Sequence, residues 1–172
     1  MDKSSPVTVL IAFDSRGGLI EQLAQAIAVG VDSAPGARAV LKRIDDCTRE
    51  DLFAASALIL GSPNWSGITG KMKAWMDGLG DLWAERQMEG KIGAAFTAGA
   101  SRSAGIEFTL LTLIHWMLAN GMLIAGLPWT ESLRDSGSYY GATATGAIRA
   151  IDLELGRQLG ARVAELARRN RV

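Results

Sequence analysis

Ser15, Arg16, Gly17 and Gly18 stand between an apolar run and a helical pattern, a placing suited to holding an anion. Val7 to Phe13 reads as a strand covered on both faces, because almost every side chain in it is apolar. Leu19 to Ala24 opens a helix. A strand that turns through Gly and Ser into a helix start leaves the first-turn N–H groups without intrahelical partners. The helix dipole adds positive potential at the same place. Ser15 contributes a hydroxyl, and phosphate is the anion that suits such a turn. Many α/β chains carry a similar turn and bind nothing there, so the remaining residues must decide.

Two more loops have the same character. Ser62-Pro63-Asn64-Trp65-Ser66-Gly67 follows the apolar run Ala57 to Gly61. Ala98-Gly99-Ala100-Ser101-Arg102-Ser103-Ala104-Gly105 follows the run Lys91 to Thr97. Both offer small residues that let a ligand approach the backbone, and the first adds an indole as an aromatic wall.

Other chemistries lack their residues. No G-x-G-x-x-G follows the first strand, and no G-x-S-x-G elbow is present. Gly70-Lys71 hints at a Walker motif, but Met72 takes the Ser/Thr place and Trp65 the first glycine. A phospho-receiver needs clustered acids after strand one, whereas Asp14 stands alone. The one histidine, His115, lies mid-helix beside Trp116 and reads as structural. Cys47 is the only cysteine, so neither an internal disulfide nor a zinc cluster is expected. No metal site is expected, and no side chain is marked as a catalytic acid or base.

The elements that position these loops follow from periodicity. Helices are expected over Gly18 to Val31, Arg49 to Ser56 (capped by Thr48), Ile68 to Trp83, Ile106 to Ala119 and Thr145 to Arg169. Strands are expected over Val7 to Phe13, Ala37 to Ile44, Ala57 to Gly61, Lys91 to Thr97 and Met122 to Leu127, with Pro128 to Ala144 irregular. The second strand carries Arg38, Lys42 and Arg43 and suits a sheet edge. Five alternating strands and helices make one doubly wound α/β domain spanning 1–172. With strand order 2-1-3-4-5, the loops after strands one, three and four share one crevice at the strands' C-terminal ends.

Composition narrows the partners. The 172 residues include 18 Lys and Arg and 18 Asp and Glu, for a formal net charge of zero, so no nucleic-acid footprint is expected. No apolar run reaches about 18 residues. The first residues are short and polar, without a signal-type apolar core. A cytoplasmic protein with no membrane or nucleic-acid partner is expected, and weak charge leaves self-association unopposed.

A crevice with one phosphate turn, two small-residue loops and a Trp suits flavin mononucleotide (FMN), whose phosphate, ribityl chain and isoalloxazine match those three features. At these residues the chain resembles flavodoxin-like FMN proteins. Ser15-Arg16-Gly17-Gly18-Leu19-Ile20 is similar to their phosphate loop. Gly61 to Gly67 resembles their second loop, and Met72 to Asp77 the helix behind it. Gly90 to Thr97, Asn120-Gly121-Met122 and Gly137 to Ala142 resemble one branch, the tryptophan-repressor-binding-protein-like NAD(P)H:quinone oxidoreductases. The resemblance implies a five-stranded 2-1-3-4-5 parallel sheet with helices on both faces, FMN, and hydride passage from NAD(P)H to a quinone. It implies that Ser15, Arg16, Gly17, Gly18, Leu19 and Ile20 hold the phosphate. Asn64, Trp65, Ser66 and Gly67 would meet the isoalloxazine, and Thr97, Ala98, Gly99, Ala100, Ser101 and Arg102 the ribityl chain and ring edge. Trp83 and Asn120 would border the substrate pocket, and a homodimer or homotetramer would form.

Two departures stand out. The family usually carries Asn or His and then Thr or Ile after the glycine, whereas Leu19 and Ile20 follow Gly18 here, so Ser15 alone offers a hydroxyl. Asn120 stands where the branch commonly has His, and Asn cannot deliver a proton near neutral pH. Two rivals remain on the same fold: a one-electron carrier flavodoxin, which would normally be strongly acidic, and a flavin-free binding or assembly module.

Overall fold

The computed structural model of the chain describes residues 5–16 and 18–170. In chain order the elements are β1 (Val7–Phe13), α1 (Leu19–Asp32), β2 (Ala37–Arg43), a 3-10 turn (Ile44–Asp46), α2 (Arg49–Ala54) and β3 (Ala57–Pro63). There follow α3 (Gly70–Gly78), α4 (Leu82–Glu85), β4 (Ile92–Gly99), α5 (Ile106–Ala119), β5 (Leu123–Ile124), α6 (Ser132–Asp135), β6 (Gly141–Thr145) and α7 (Ala150–Arg169).

The sheet order is β2-β1-β3-β4-β5, all parallel, with β6 also pairing β4. This is the expected flavodoxin-like arrangement. Side chains of β1 alternate between two cores. Val7, Val9, Ile11 and Phe13 pack with α1 and α7, while Leu10 and Ala12 pack with the α2, α3 and α5 side. Burial on both faces explains why the strand reads as an unbroken apolar run. On β2 no residue is fully buried, as its charged residues suggested.

Helices α1 and α7 meet backbone to backbone. A Cβ on Gly160 would stand 2.0 Å from the Ile27 carbonyl oxygen, and one on Gly30 2.0 Å from that of Arg157. No side chain fits at either place.

Three expectations are corrected. The helix foreseen from Ile68 to Trp83 breaks into α3 and α4, because Gly78 and Gly80 give weak helical support where Leu79 leaves helical geometry. The fifth strand, foreseen over Met122 to Leu127, pairs with β4 only at Leu123 and Ile124. The chain then leaves the sheet and returns as β6, which runs along Ala95 to Gly99 of β4. That return falls in the stretch expected to be irregular and at the expected start of the last helix. It is a strand because Ala142, Thr143 and Ala144 are buried against β4 and its neighbours. The edge strand is thus one strand in two pieces, with residues 125–140 looped out between them.

Candidate functional site

The carboxyl ends of β1, β3 and β4 open onto a cleft of about 790 Å³. Its walls are Ser15, Arg16, Leu19 and Ile20 from the first loop and helix, and Pro63 to Ser66 from the second. Ala98, Gly99, Ala100, Ala104 and Gly146 complete it. That volume lies in the range of small-molecule and cofactor sites.

The first loop is built for an anion. Gly18 has φ +83°, a left-handed conformation that glycine adopts without strain, and it caps α1 with no side-chain bond. The first-turn N–H groups of Leu19 and Ile20 find no acceptor among the described residues. Ser15 is only 7% exposed, and its hydroxyl has no hydrogen-bond partner among those residues. Its carbonyl is held by Arg43 Nη2 at 2.7 Å, from the end of β2. Gly17, assigned to this loop on resemblance, lies outside the described residues.

The second loop is held rigid from beneath. Asn64 Nδ2 donates to the Ala104 carbonyl at 2.7 Å, while its Oδ1 accepts from Thr109 Oγ1 at 2.8 Å and from the Gly67 N–H at 3.2 Å. The Asn64 amide is therefore spent on joining loops, although its side chain lines the cleft. The turn it fixes includes Ser66 at φ 60° and a Trp65 N–H to Gly67 carbonyl bond of 2.8 Å. This turn holds Trp65 outward, 63% exposed, with the Arg16 guanidinium 5.6 Å from its ring centroid. Among the described residues, Arg16 is the only charged one lining the cleft.

Below the cleft lies a buried polar layer. Asp14 Oδ2 accepts from Thr69 Oγ1, the Thr69 N–H donates to Ser62 Oγ, and Thr97 Oγ1 donates to the Ser62 carbonyl at 2.7 Å. Lys71 Nζ lies 3.8 Å from Asp14 and 2.5 Å from Asp45. Thr97 is fully buried in this layer and does not line the cleft, because its hydroxyl points at β3. The layer locks the ends of β1, β3 and β4 together.

Other expected site residues fall elsewhere. Gly18 and Gly67 shape turns beside the cleft without lining it. Ser101 and Arg102 face outward, and Arg102 donates to the Asp135 carbonyl. Trp83 projects from α4 into solvent and is not among the lining residues. Asn120 caps the C-terminus of α5, and Gly121 beside it accepts from the Gly90 N–H just before β4. Asn120 thus lies at the amino ends of the strands, at the opposite end from the cleft of its own chain. Conversely, Pro63, Ala104 and Gly146 line the cleft and were not foreseen as site residues. Gly146 comes there because β6 delivers it.

The wall near Gly146 rests on Asp152. This buried carboxylate accepts from the Arg149 N–H at 2.8 Å, from Arg149 Nη2 at 3.0 Å and from Ser136 Oγ. Burial alone pushes its pKa up, but the bonds from Arg149 and Ser136 outweigh burial and hold it below the ordinary 3.8. The Cys47 thiol is the opposite case, pushed up to about 12 by burial and by the nearby Asp51. Among the described residues no group of three or more His, Cys, Asp or Glu side chains could hold a metal ion, and no helix is long and apolar enough to cross a membrane.

Comparison with known proteins matches residues 42–130 to the family described as NADPH-dependent FMN reductase. A protein of Archaeoglobus fulgidus named NAD(P)H dehydrogenase (quinone) is 36% identical over 185 residues, covering 92% of this chain and 96% of that protein. A flavodoxin of Aquifex aeolicus is 34% identical over 161 residues, covering 91% and 85%. Among solved structures, a flavodoxin, WrbA-like protein from Agrobacterium tumefaciens superposes with a TM-score of 0.79 at 26% identity, over 96% of this chain and 99% of that one.

Proposed function

Because the chain belongs to the NADPH-dependent FMN reductase family, we infer that it is an FMN-dependent oxidoreductase that passes two electrons from NAD(P)H to a quinone or similar small acceptor. The observation that carries this reading is the cleft itself, where an unpaired helix start faces an outward-held indole across small-residue walls.

The residues present fit FMN. The Ser15 hydroxyl and the N–H groups at the start of α1 are the donors for its phosphate. Arg16 adds the positive charge that Leu19 and Ile20, lacking hydroxyls, cannot replace. Ala98, Gly99 and Ala100 line the cleft with small side chains that leave room for the ribityl chain, and at Gly99 a Cβ would instead crowd Ile106 Cδ1 at 3.0 Å and Asn64 Cβ at 3.2 Å. Trp65, steadied by the Asn64 turn, walls the ring, with Ser66 beside it. FMN held there would supply the redox chemistry, hydride exchange between a nicotinamide and the acceptor. The protein's own work is positioning: Asn64 fixes the platform, the Asp14–Thr69 layer fixes the loop spacing, and the apolar walls exclude water from the ring.

Zero net charge supports this reading over a one-electron carrier that is steered to its partner by acidic charge. We also propose that the whole chain, 1–172, works as one domain and self-associates as a homodimer or homotetramer. A need for NAD(P)H supports a cytoplasmic setting. The test is an absorption spectrum after one equivalent of FMN and ultrafiltration, followed by mixing with NADPH or NADH. Retained yellow that bleaches is expected. Flavin lost to the filtrate, or no bleaching with either nucleotide, overturns the reading.

A further inference from the structure

Arg43 is the last residue of β2, in register with Phe13, the last residue of β1. Alternation along β2 sets the direction of its side chain. Lys42 turns to the α2 side and pairs with Asp51, whereas Ala37 and Ala39 pack on the α1 side, which Arg43 shares. The guanidinium therefore reaches over the end of β1 to the start of α1. Its Nη2 donates to the Ser15 carbonyl at 2.7 Å, and its Nη1 stands 3.8 Å from Glu21 Oε2 in the first turn of α1. Arg43 does not itself line the cleft.

The bond to Ser15 fixes more than a carbonyl. In a trans peptide the C=O and the N–H that follows it point in opposite directions, and the described residues contain no cis bond. Strands β2 and β3 flank β1 on opposite sides. A Ser15 carbonyl held toward β2 thus turns the Arg16 N–H toward β3, whose loop forms the facing wall of the cleft. That N–H has no acceptor among the described residues, so it joins those of Leu19 and Ile20 as a donor in the anion turn. Glu21 is the acid in the first turn of α1, and its charge opposes a phosphate at the helix start. The nearby Arg43 offsets that charge.

We propose that Arg43 is a positioning residue of the anion turn, aiming the Arg16 N–H into the cleft and so making the site select a flavin that carries a phosphate over one that does not. This rests on the FMN reading above and adds to it the residue that presets the turn. The Arg16 side chain supplies charge, whereas Arg43, acting through the Ser15–Arg16 peptide, supplies the direction of a backbone donor. A donor held in place beforehand need not be ordered when the ligand arrives, and affinity rises accordingly.

The test measures quenching of FMN and of riboflavin fluorescence by the full chain and by its Arg43→Ala and Arg43→Lys variants, each checked for native circular dichroism. Arg43→Ala should weaken FMN binding about tenfold, the worth of one well-aimed hydrogen bond to a charged group, and leave riboflavin binding unchanged. Arg43→Lys can still donate to the Ser15 carbonyl and should recover part of the loss. The loss should persist at about 0.5 M salt, because screening does not re-aim a backbone N–H. An Ala variant that binds FMN like the wild type overturns the assignment. So does an equal loss for both flavins, which would mark a structural role, or a Lys variant as weak as the Ala variant. A loss that vanishes in high salt makes Arg43 a distant charge and overturns its positioning role. A wild type that binds FMN no better than riboflavin overturns the phosphate site and this inference with it, whereas the other outcomes leave the phosphate site standing.

Discussion

Thr69 donates its hydroxyl hydrogen to Asp14 Oδ2 at 2.6 Å, and both residues are buried. One bond thus joins the end of β1 to the start of α3, across the floor of the cleft. The same hydroxyl accepts from the Met72 N–H at 3.0 Å and so caps α3. Thr69→Val removes both contacts and strands a buried carboxylate. A loss of about 2–3 kcal/mol is expected from the missing cap and the unsatisfied acceptor. Thr69→Ser should remain near the wild type. Urea unfolding checks both, and equal stability of the two variants would refute the linkage.

Arg16 is expected to act on the phosphate and not on the ring. Arg16→Ala should weaken FMN binding about tenfold, the worth of one partly screened charge-assisted bond. It should also flatten the salt dependence of binding. Riboflavin, which lacks the phosphate, should bind both proteins alike. Quenching of flavin fluorescence measures all four affinities, and an equal loss for both flavins would place Arg16 against the ring.

Asp152 supports the wall that carries Gly146. Its carboxyl is held below its ordinary value in the fold. Its stabilisation is therefore fully present above the unfolded value of about 4 and fades as pH falls through the lower folded value. Asp152→Asn should cost about 1–2 kcal/mol at pH 7, a figure kept small because Arg149 is half exposed. The gap between the two proteins should close toward pH 3. Urea midpoints from pH 7 to 3 test this, and a constant gap would contradict it.

Cys47 should be a poor nucleophile. A thiol pushed from 9.0 to about 12 carries roughly a thousandfold less thiolate at pH 8. Alkylation by iodoacetamide should be slow in the native protein and rapid in urea. Fast native labelling would show that Cys47 is not shielded as described.

The parts of the fold that were legible in the sequence are those whose burial is two-sided. Val7 to Phe13 and Ala57 to Gly61 are apolar because both faces meet a core, and Thr48 with Asp51 forms the capping box that their spacing suggests. What was missed rests on pairing at a distance. Gly141 to Thr145 is short and made of small residues, so only its alternating threonines hinted at a strand, and its burial comes from β4. The anion turn and Trp65 were legible because Gly, Ser and Trp mark them locally. The place of Asn120 was not, since resemblance supplied a role but only topology reveals at which end of the strands a residue lies. Asn64 was recognised as a site residue, yet its task of tying its own loop to the third loop and to α5 depends on Ala104 and Thr109, which are distant in sequence.

The division of the last strand bears on how the protein keeps itself from polymerising. A long flat strand at a sheet margin is a template on which other chains can add. Here one margin, β2, carries Arg38, Lys42 and Arg43, whose charges resist such addition. The other margin is cut into a two-residue piece and a five-residue piece by the chain looped out between them. Neither rim offers an uninterrupted row of backbone donors and acceptors, so open-ended, amyloid-like growth is discouraged at both.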